Sequence, residues 1–321
     1  MLNLEQNSHR DLKNLKMTNI ALKINFMKLA VITYQDRGAY AVETVPDEDK
    51  LLSEILDSLS IEYQFEIWSD ESVKWQQYDM LLLKSPWDYF DYFPKFAYWC
   101  EQIQSLGIPV LNDLRTVLWN SKKSYLLEIQ QAGLGVVPTK LIPMGDVKEL
   151  VRIVDNSGSD SQFVIKPAIS GGSKNTLKFA LHEFADLLPT LGKWLSVENY
   201  LLQPFVPEIE RVGEYSYIYF NGKFSHALLK KASPGEFRVQ HFFGGTIHSL
   251  EPGADELASI NPYIEHFAIS TLYARVDGVW RDGVFLLMEL ELIEPYLFLY
   301  THPQAMDNYR SAIKARLQVS A

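Results

Sequence analysis

The chain has one cysteine, Cys100, in 321 residues. That excludes an intramolecular disulfide, a Cys-x-x-Cys redox pair and a cysteine-rich zinc site, and it suits a reducing cytoplasm. Positive charge is scarce as well: 30 Lys and Arg stand against 40 Asp and Glu, a net charge of −10. A general surface for nucleic acid or for an anionic membrane is therefore not expected. No apolar run approaches the roughly 20 residues that cross a bilayer, and the most apolar stretch, VFLLMELELI, is broken by Glu289 and Glu291. Two nucleotide-binding devices are missing. Only Gly38 follows the first predicted strand, so there is no Gly-x-Gly-x-x-Gly fingerprint, and no Walker A sequence occurs. The first 26 residues are polar, contain Glu5 and Asp11, and lack the apolar core and cleavage site of a signal peptide. They read as a loose extension before Met27, an upstream start or a remnant outside the fold.

What is present is ordinary for a globular protein: 47% hydrophobic and 22% charged residues. At roughly 150 residues per domain, the length suggests about two domains. From Met27 the pattern is strand, helix, strand, helix, strand. KLAVITY is a buried strand, Leu51, Leu52, Ile55, Leu56 and Leu59 predict a helix over 47–59, and DMLLLKS is a strand ending near Ser85. A helix through FPKFAYWCEQIQSL is stopped by Gly107, and IPVL is a short strand. Residues 27–115 should form one α/β lobe on a parallel sheet. Over 116–321 the texture changes. A helix in NSKKSYLLEIQQAG ends at Gly133, and strands follow in FVIKP, LKFA, YLLQPF, YSYIYF, KFSHALLKK and VFLLMELELI. Asn221-Gly222 is a hairpin signal, and further helices are expected over 262–274 and 303–317.

Three stretches could carry chemistry. In FVIKPAISGGSKNT a strand delivers Lys166 and opens into Ser170, Gly171, Gly172 and Ser173, where small residues let backbone N–H groups approach phosphate oxygens. The alternative is a plain surface turn. In VFLLMELELIEP, residues two apart share a strand face, so Glu289 and Glu291 project together and Leu290 and Leu292 oppositely. Two such carboxylates on a buried strand need a cation or basic partners, and paired oxygens suit Mg²⁺; on an exposed edge they would simply be solvated. Asp277, upstream in ARVDG, is a third candidate ligand. In LLKKASPGEFRVQHFFGG, Lys230, Lys231 and Arg238 concentrate positive charge, and arginine's fork suits a carboxylate or phosphate. The seven histidines, His241 and His248 included, show no close metal spacing. Cys100, among Phe96, Tyr98 and Trp99, reads as a packing thiol.

In this order, these residues resemble the ATP-grasp superfamily, and especially its branch of carboxylate–amine ligases that includes glutathione synthetase, the ribosomal-protein glutamate ligase and the cycloserine-forming cyclo-ligase. The likeness runs from about Lys28 to the C-terminal helix. It rests on WNSKKSYLLEIQQAGLGVVPT, FVIKPAISGGSKNT, LLQPFV, SPGEFRVQHFFGG and the trio Asp277, Glu289 and Glu291. The resemblance implies an α/β (α+β) ATP-grasp fold, with an N-terminal parallel-sheet lobe and two antiparallel-sheet subdomains clasping a nucleotide. It implies ATP with Mg²⁺, or Mn²⁺ in its place. Lys123 and Lys166 would hold the α/β-phosphates, and the Ser170 to Ser173 loop would cover the β/γ-phosphates. Gln203, Phe205 and Val206 would frame the adenine, with Glu208 or Glu214 on the ribose. Asp277, Glu289 and Glu291 would bind metal, and Arg238, with Lys230 and Arg275, would act at the reacting phosphoryl group. Many family members have Glu-x-Asn where this chain has Glu289-Leu290-Glu291. There, ELELIEP included, it resembles the cyclo-ligase subset, and the extra carboxylate changes the charge offered to the metals. KSPWDYFD also resembles that subset. Trp87 and Asp88 would then face the acceptor cleft, the alternative being core packing. The implied activity is an ATP-dependent ligase that activates a carboxylate as an acyl phosphate and joins it to an amine. Small-molecule acids and amines would be its partners, and a homodimer is compatible with it. The rivals are a phosphotransferase, which would release a phosphorylated product, and a non-enzymatic nucleotide-responsive binding protein.

Overall fold

The computed structural model describes residues 27–36, 45–233, 235–236, 238–239 and 244–320. The extension over 1–26, Gly38 and His241 lie outside them.

The N-terminal lobe is built on a parallel sheet of order β2-β1-β3-β4, comprising β1 (Lys28–Thr33), β2 (Glu62–Ile67), β3 (Met80–Ser85) and β4 (Val110–Leu111). β1 and β3 read as continuous apolar runs because both of their faces are covered. Leu29, Val31 and Leu82 pack with Leu52, Ile55 and Leu56 of α1 (Glu48–Ser58). Ala30, Ile32, Leu81 and Leu83 pack with Phe96, Trp99, Cys100 and Ile103 of α2 (Phe93–Leu106). Asp47 caps α1 by accepting from the Asp49 N–H, and α2 stops at Gly107, whose φ of 69° suits glycine. The sheet has one strand more than the sequence pattern suggests. EYQFEI forms β2 as a partly exposed edge, where glutamates are tolerated and apolar content is no longer the signal.

The helix expected in NSKKSYLLEIQQAG is α4 (Tyr125–Gln131), and a further helix, α3 (Leu114–Asn120), precedes it. The intervening turn presents Lys123, whose N–H donates to the carbonyl of Ala168 at 2.7 Å.

A second, antiparallel sheet of order β5-β8-β6-β7 comprises β5 (Lys140–Ile142), β6 (Gln162–Pro167), β7 (Leu177–Ala180) and β8 (Tyr200–Pro204). Its core joins Ile165, Phe179 and Leu202 to Leu150 of α5 (Val147–Asp155) and Leu191 of α6 (Phe184–Leu195). After β8 comes the short α7 (Glu208–Arg211).

The third sheet, of order β11-β10-β9-β12-β13, is antiparallel: β9 (Glu214–Phe220), β10 (Lys223–Lys231), β11 (Thr246–Leu250), β12 (Tyr273–Arg281) and β13 (Val284–Glu291). The β9–β10 turn has φ of 48° at Asn221 and 71° at Gly222, the left-handed pair a tight hairpin demands. α8 spans Ala254–Phe267 rather than 262–274. It starts where the Glu256 carboxylate accepts the Gly253 N–H, Pro262 is tolerated inside it, and YARVDGVWR is drawn into β12 between β9 and β13. The last helix, α9, spans Ala305–Ser320.

The lobe and the third sheet share one core, since Leu29, Val31 and Leu82 belong to the same cluster as Ile218, Phe220, Leu272 and Tyr309. Asn112 ties them together: its amide donates to the carbonyls of Tyr273 and Leu292 and accepts from the Leu272 N–H. Among the described residues no helix is long and apolar enough to cross a membrane.

Candidate active site

The three sheets surround a cavity of about 430 Å³. β6 carries Lys166 to its wall and opens into Ser170–Ser173. Gly171 lets the loop pack closely there, because a Cβ would lie 2.3 Å from the ring of Phe90, which approaches from the N-terminal lobe and would have to shift. The ion pair of Lys174 with Asp91 joins the same two segments. The glycine loop is thus held against KSPWDYFD.

Glu289 and Glu291 reach the cavity through a bulge. Asp277 pairs with Glu289 and Gly278 with Leu287, which leaves Met288 as an extra residue. Before the bulge, Phe285 and Leu287 face the core beneath the sheet; after it, Leu290 and Leu292 do. Strict alternation would have put Glu289 on the face of Leu287. The inserted residue reverses the phase and turns Met288, Glu289 and Glu291 to the cavity.

Each carboxylate meets a cation. Glu289 pairs with Lys123, and Glu291 with Arg275. Asp277 is buried, accepts from Arg275 Nε and Nη2 and, at 2.6 Å, from Ser216 Oγ, and lies 3.3 Å from Lys230 Nζ. Burial pushes the Asp277 carboxyl up, but Arg275 and Lys230 outweigh it and hold it at about 2. Burial likewise opposes ionisation of Glu289, and Lys123 and Lys166 hold it below the usual carboxylate range. Glu291 goes the other way: burial, with Glu289 and Asp277 nearby, raises it to about 7 despite Arg275. Burial lowers Lys166 to about 8, with Lys123 adding to the effect.

Gln203, Phe205 and Val206 line the opposite wall. The Gln203 amide donates to Thr139 Oγ1 at 2.8 Å, and Lys178 Nζ sits 3.6 Å above the Phe205 ring. Glu214 faces the cavity, paired at 2.5 Å with Lys230, whereas Glu208 turns away to Arg281 at 2.7 Å and is not in the wall. Arg238 lines the cavity and grips Glu236 at 2.6 Å. Trp87 also lines it, but Asp88 does not. The Trp68 indole N–H, at 2.6 Å, draws that carboxylate into the N-terminal lobe.

The sequence analysis did not single out Tyr34, Asp49, Lys84, Glu294 and Tyr296, which also line the cavity. Lys84 is the one charged residue of a wholly buried strand and Glu294 the third glutamate of ELELIEP, and both were legible as oddities.

The donors suit a divalent cation in part. Glu289 and Glu291 offer hard oxygens on one face, while Asp277 is committed to Arg275, Lys230 and Ser216. Among the described residues no group of three or more His, Cys, Asp or Glu could hold a metal by itself. A bound Mg²⁺ would complete its shell with phosphate oxygens.

A model of the N-terminal domain of the D-cycloserine synthetase DcsG matches residues 29–112. The cycloserine biosynthesis protein DcsG of Streptomyces lavendulae is 26% identical over 269 residues, covering 78% of this chain and 87% of that protein. Among solved structures, D-cycloserine synthetase DcsG superposes with a TM-score of 0.77 at 22% identity, over 90% of this chain and 99% of that one. The D-alanine–D-alanine ligase of Bacillus anthracis, complexed with ATP, gives 0.60 at 16% identity over 92% and 98%. The ATP-grasp ligase PsnB, complexed with a precursor variant, Mg and ADP, gives 0.60 at 14% identity over 90% and 98%. The fold is therefore the ATP-grasp fold.

Proposed function

We propose that this chain is an ATP-grasp ligase that activates a substrate carboxylate with ATP as an acyl phosphate and joins it to an amine. The observation that supports this most is one cavity that gathers phosphate-binding, metal-binding and N-terminal-lobe residues. Its wall brings together Lys123, Lys166 and the glycine loop, the charged residues Arg275, Glu289 and Glu291, and residues of the N-terminal lobe.

Lys123 and Lys166 would neutralise the α/β-phosphates, and Ser170–Ser173 would cover the β/γ-phosphates with backbone N–H groups. Gln203, Phe205 and Val206 would frame the adenine, and Glu214, already at the cavity, suits the ribose better than Glu208. Glu289 and Glu291 would hold Mg²⁺, which supplies charge neutralisation for the transferring phosphoryl group. Arg275 and Lys230, fixed by Asp277, present positive charge to the developing oxyanion, and Arg238 adds a guanidinium from the wall of the cavity. The carboxylate oxygen attacks the γ-phosphorus and ADP leaves. The amine then attacks the acyl carbon, phosphate leaves, and the amine's proton passes to solvent or a nearby base.

Small-molecule acids and amines are the partners in this reading, and a cytoplasmic supply of ATP suits it. A homodimer is compatible with this reading. The likeness to DcsG extends the reading to cyclisation, in which acid and amine belong to one molecule. The test is to incubate the protein with ATP, Mg²⁺, an acid pool and hydroxylamine: a ligase yields ADP and a hydroxamate, a phosphotransferase yields a lasting phosphorylated product.

A further inference from the structure

We propose that Phe298 is a positioning residue for phosphoryl transfer: its ring is the platform that holds the Arg275 guanidinium in the orientation in which it meets the γ-phosphoryl group. The proposal deepens the ligase reading and rests on it.

Arg275 is framed along its edges. Its Nε and Nη2 donate to Asp277 at 3.0 and 2.9 Å, Nη2 also donates to Glu291, and Nη1 donates to the Tyr296 carbonyl at 2.8 Å. A guanidinium carries its N–H groups in one plane, so these bonds resist sliding within that plane better than tilting out of it. Glu291 is also a carboxylate assigned to Mg²⁺, and an acceptor shared with a metal holds Arg275 less firmly. Tilting is left to whatever lies on the face.

Phe298 lies there. The Arg275 Cζ stands over its ring, 5.6 Å from the centroid, and both residues are buried in the cavity wall. A guanidinium is attracted to an aromatic face, and burial strengthens the contact by removing competing water. The ring is itself fixed by Tyr296, which packs edge-on at 4.9 Å and 69°. One short segment thus gives Arg275 both an edge acceptor, the Tyr296 carbonyl, and a face.

The backbone of Phe298 is left-handed, with φ of 53° and ψ of 38°, a conformation that a bulky residue rarely adopts and that persists only where its surroundings dictate it. Here they do. Glu48, paired with Lys84, accepts the N–H groups of the two flanking residues, Leu297 at 2.8 Å and Leu299 at 3.2 Å. The Leu297 carbonyl accepts from His226 Nε2 at 2.8 Å, and the Phe298 carbonyl accepts from the Thr301 N–H at 2.9 Å. Leu297 and Leu299 are anchored in the core, and Phe298 between them reaches the cavity. A charged group aids phosphoryl transfer most when it is oriented before charge develops. The strained turn, the ring and the guanidinium together supply that orientation.

The test uses the full chain with Mg²⁺ and, as probes, ADP and the non-hydrolysable β,γ-imido analogue of ATP, with affinities read by calorimetry and folding checked by melting temperature. Wild type should bind both. Phe298→Leu keeps the apolar bulk and, having a Cβ, the same backbone strain, while removing the ring face. It should weaken binding of the triphosphate analogue about five- to tenfold and leave that of ADP within about twofold. Phe298→Tyr, which keeps the face, should retain most of the wild-type preference. In an Arg275→Lys chain, where no planar group remains to be held, Phe298→Leu should weaken the analogue by less than about twofold more. Should Phe298→Leu fail to fold, Phe298→Met, whose flexible thioether fills the same space, takes its place. A wild type that binds neither nucleotide defeats the ligase reading, and this inference with it. With both bound by the wild type, this inference alone is overturned if the Phe298 change weakens ADP and the analogue alike, leaves both unchanged, or weakens the analogue as much in the Arg275→Lys chain as in wild type.

Discussion

Asp277 of β12 stands opposite Glu289 of β13, and the unpaired Met288 just before Glu289 turns the second glutamate pair position, Glu291, to the same cavity. The bulge needs Gly278. A Cβ there would lie 2.4 Å from the Leu286 carbonyl oxygen and 2.5 Å from the Phe285 ring. Gly278→Ala should therefore straighten or displace the ladder, cost about 1–3 kcal/mol in denaturant unfolding, and lower ATP turnover beyond what lost folded fraction explains. Unchanged stability and turnover would remove the bulge from the account.

The two glutamates should respond differently to neutralisation. Glu289 is the ion-pair partner of buried Lys123, so Glu289→Gln leaves that ammonium unpaired and should lower the melting temperature. Glu291 already resists ionisation, being raised to about 7 by burial and its acidic neighbours. A carboxyl raised in the fold loses stability as pH climbs from its unfolded value, about 4.3, through about 7. Glu291→Gln should thus match wild type at pH 4 and become the more stable of the two by neutral pH, with no further gain above. Melting curves of both variants across pH 4–8 check this. Both should turn over ATP far more slowly.

Lys166 gives nucleotide binding a basic limb. Burial lowers its ammonium to about 8 in the free protein, and polyphosphate favours the charged form. Above about pH 8, binding must take up a proton, so ATP affinity should fall with rising pH, by up to about tenfold per unit. Calorimetry at pH 9 in two buffers of different ionisation enthalpy should show proton uptake. Lys166→Arg should abolish it.

The glycine loop depends on the N-terminal lobe. Gly171→Ala would drive a methyl into Phe90, and loop and lobe should part. The KM for ATP should rise roughly tenfold. Phe90→Ala in the same chain should restore much of the loss by opening space, whereas independent effects would simply multiply.

Much of the fold was legible. α2 runs over the stretch its periodicity predicts, because four core residues and a terminating glycine define it. β2 was missed because an edge strand keeps its glutamates in water, and β12 because ARVDG carries polar residues that only its two neighbouring strands make buried. Within the site, side-chain alternation placed Glu289 and Glu291 together but could not reveal the inserted Met288 that turns them inward. Asp88 and Glu208 had the right chemistry in the right segments, yet each carboxylate follows a nearer donor, Trp68 or Arg281.

The most direct test of ATP-dependent ligation is to follow ADP release and products together, by mass spectrometry, with ATP, Mg²⁺ and paired pools of acids and amines. The account predicts ADP and phosphate formed one for one with a new amide, linear or cyclic, and no persisting phosphorylated acid. A lasting phosphorylated product, or ADP release with no new amide from any pool, would contradict it.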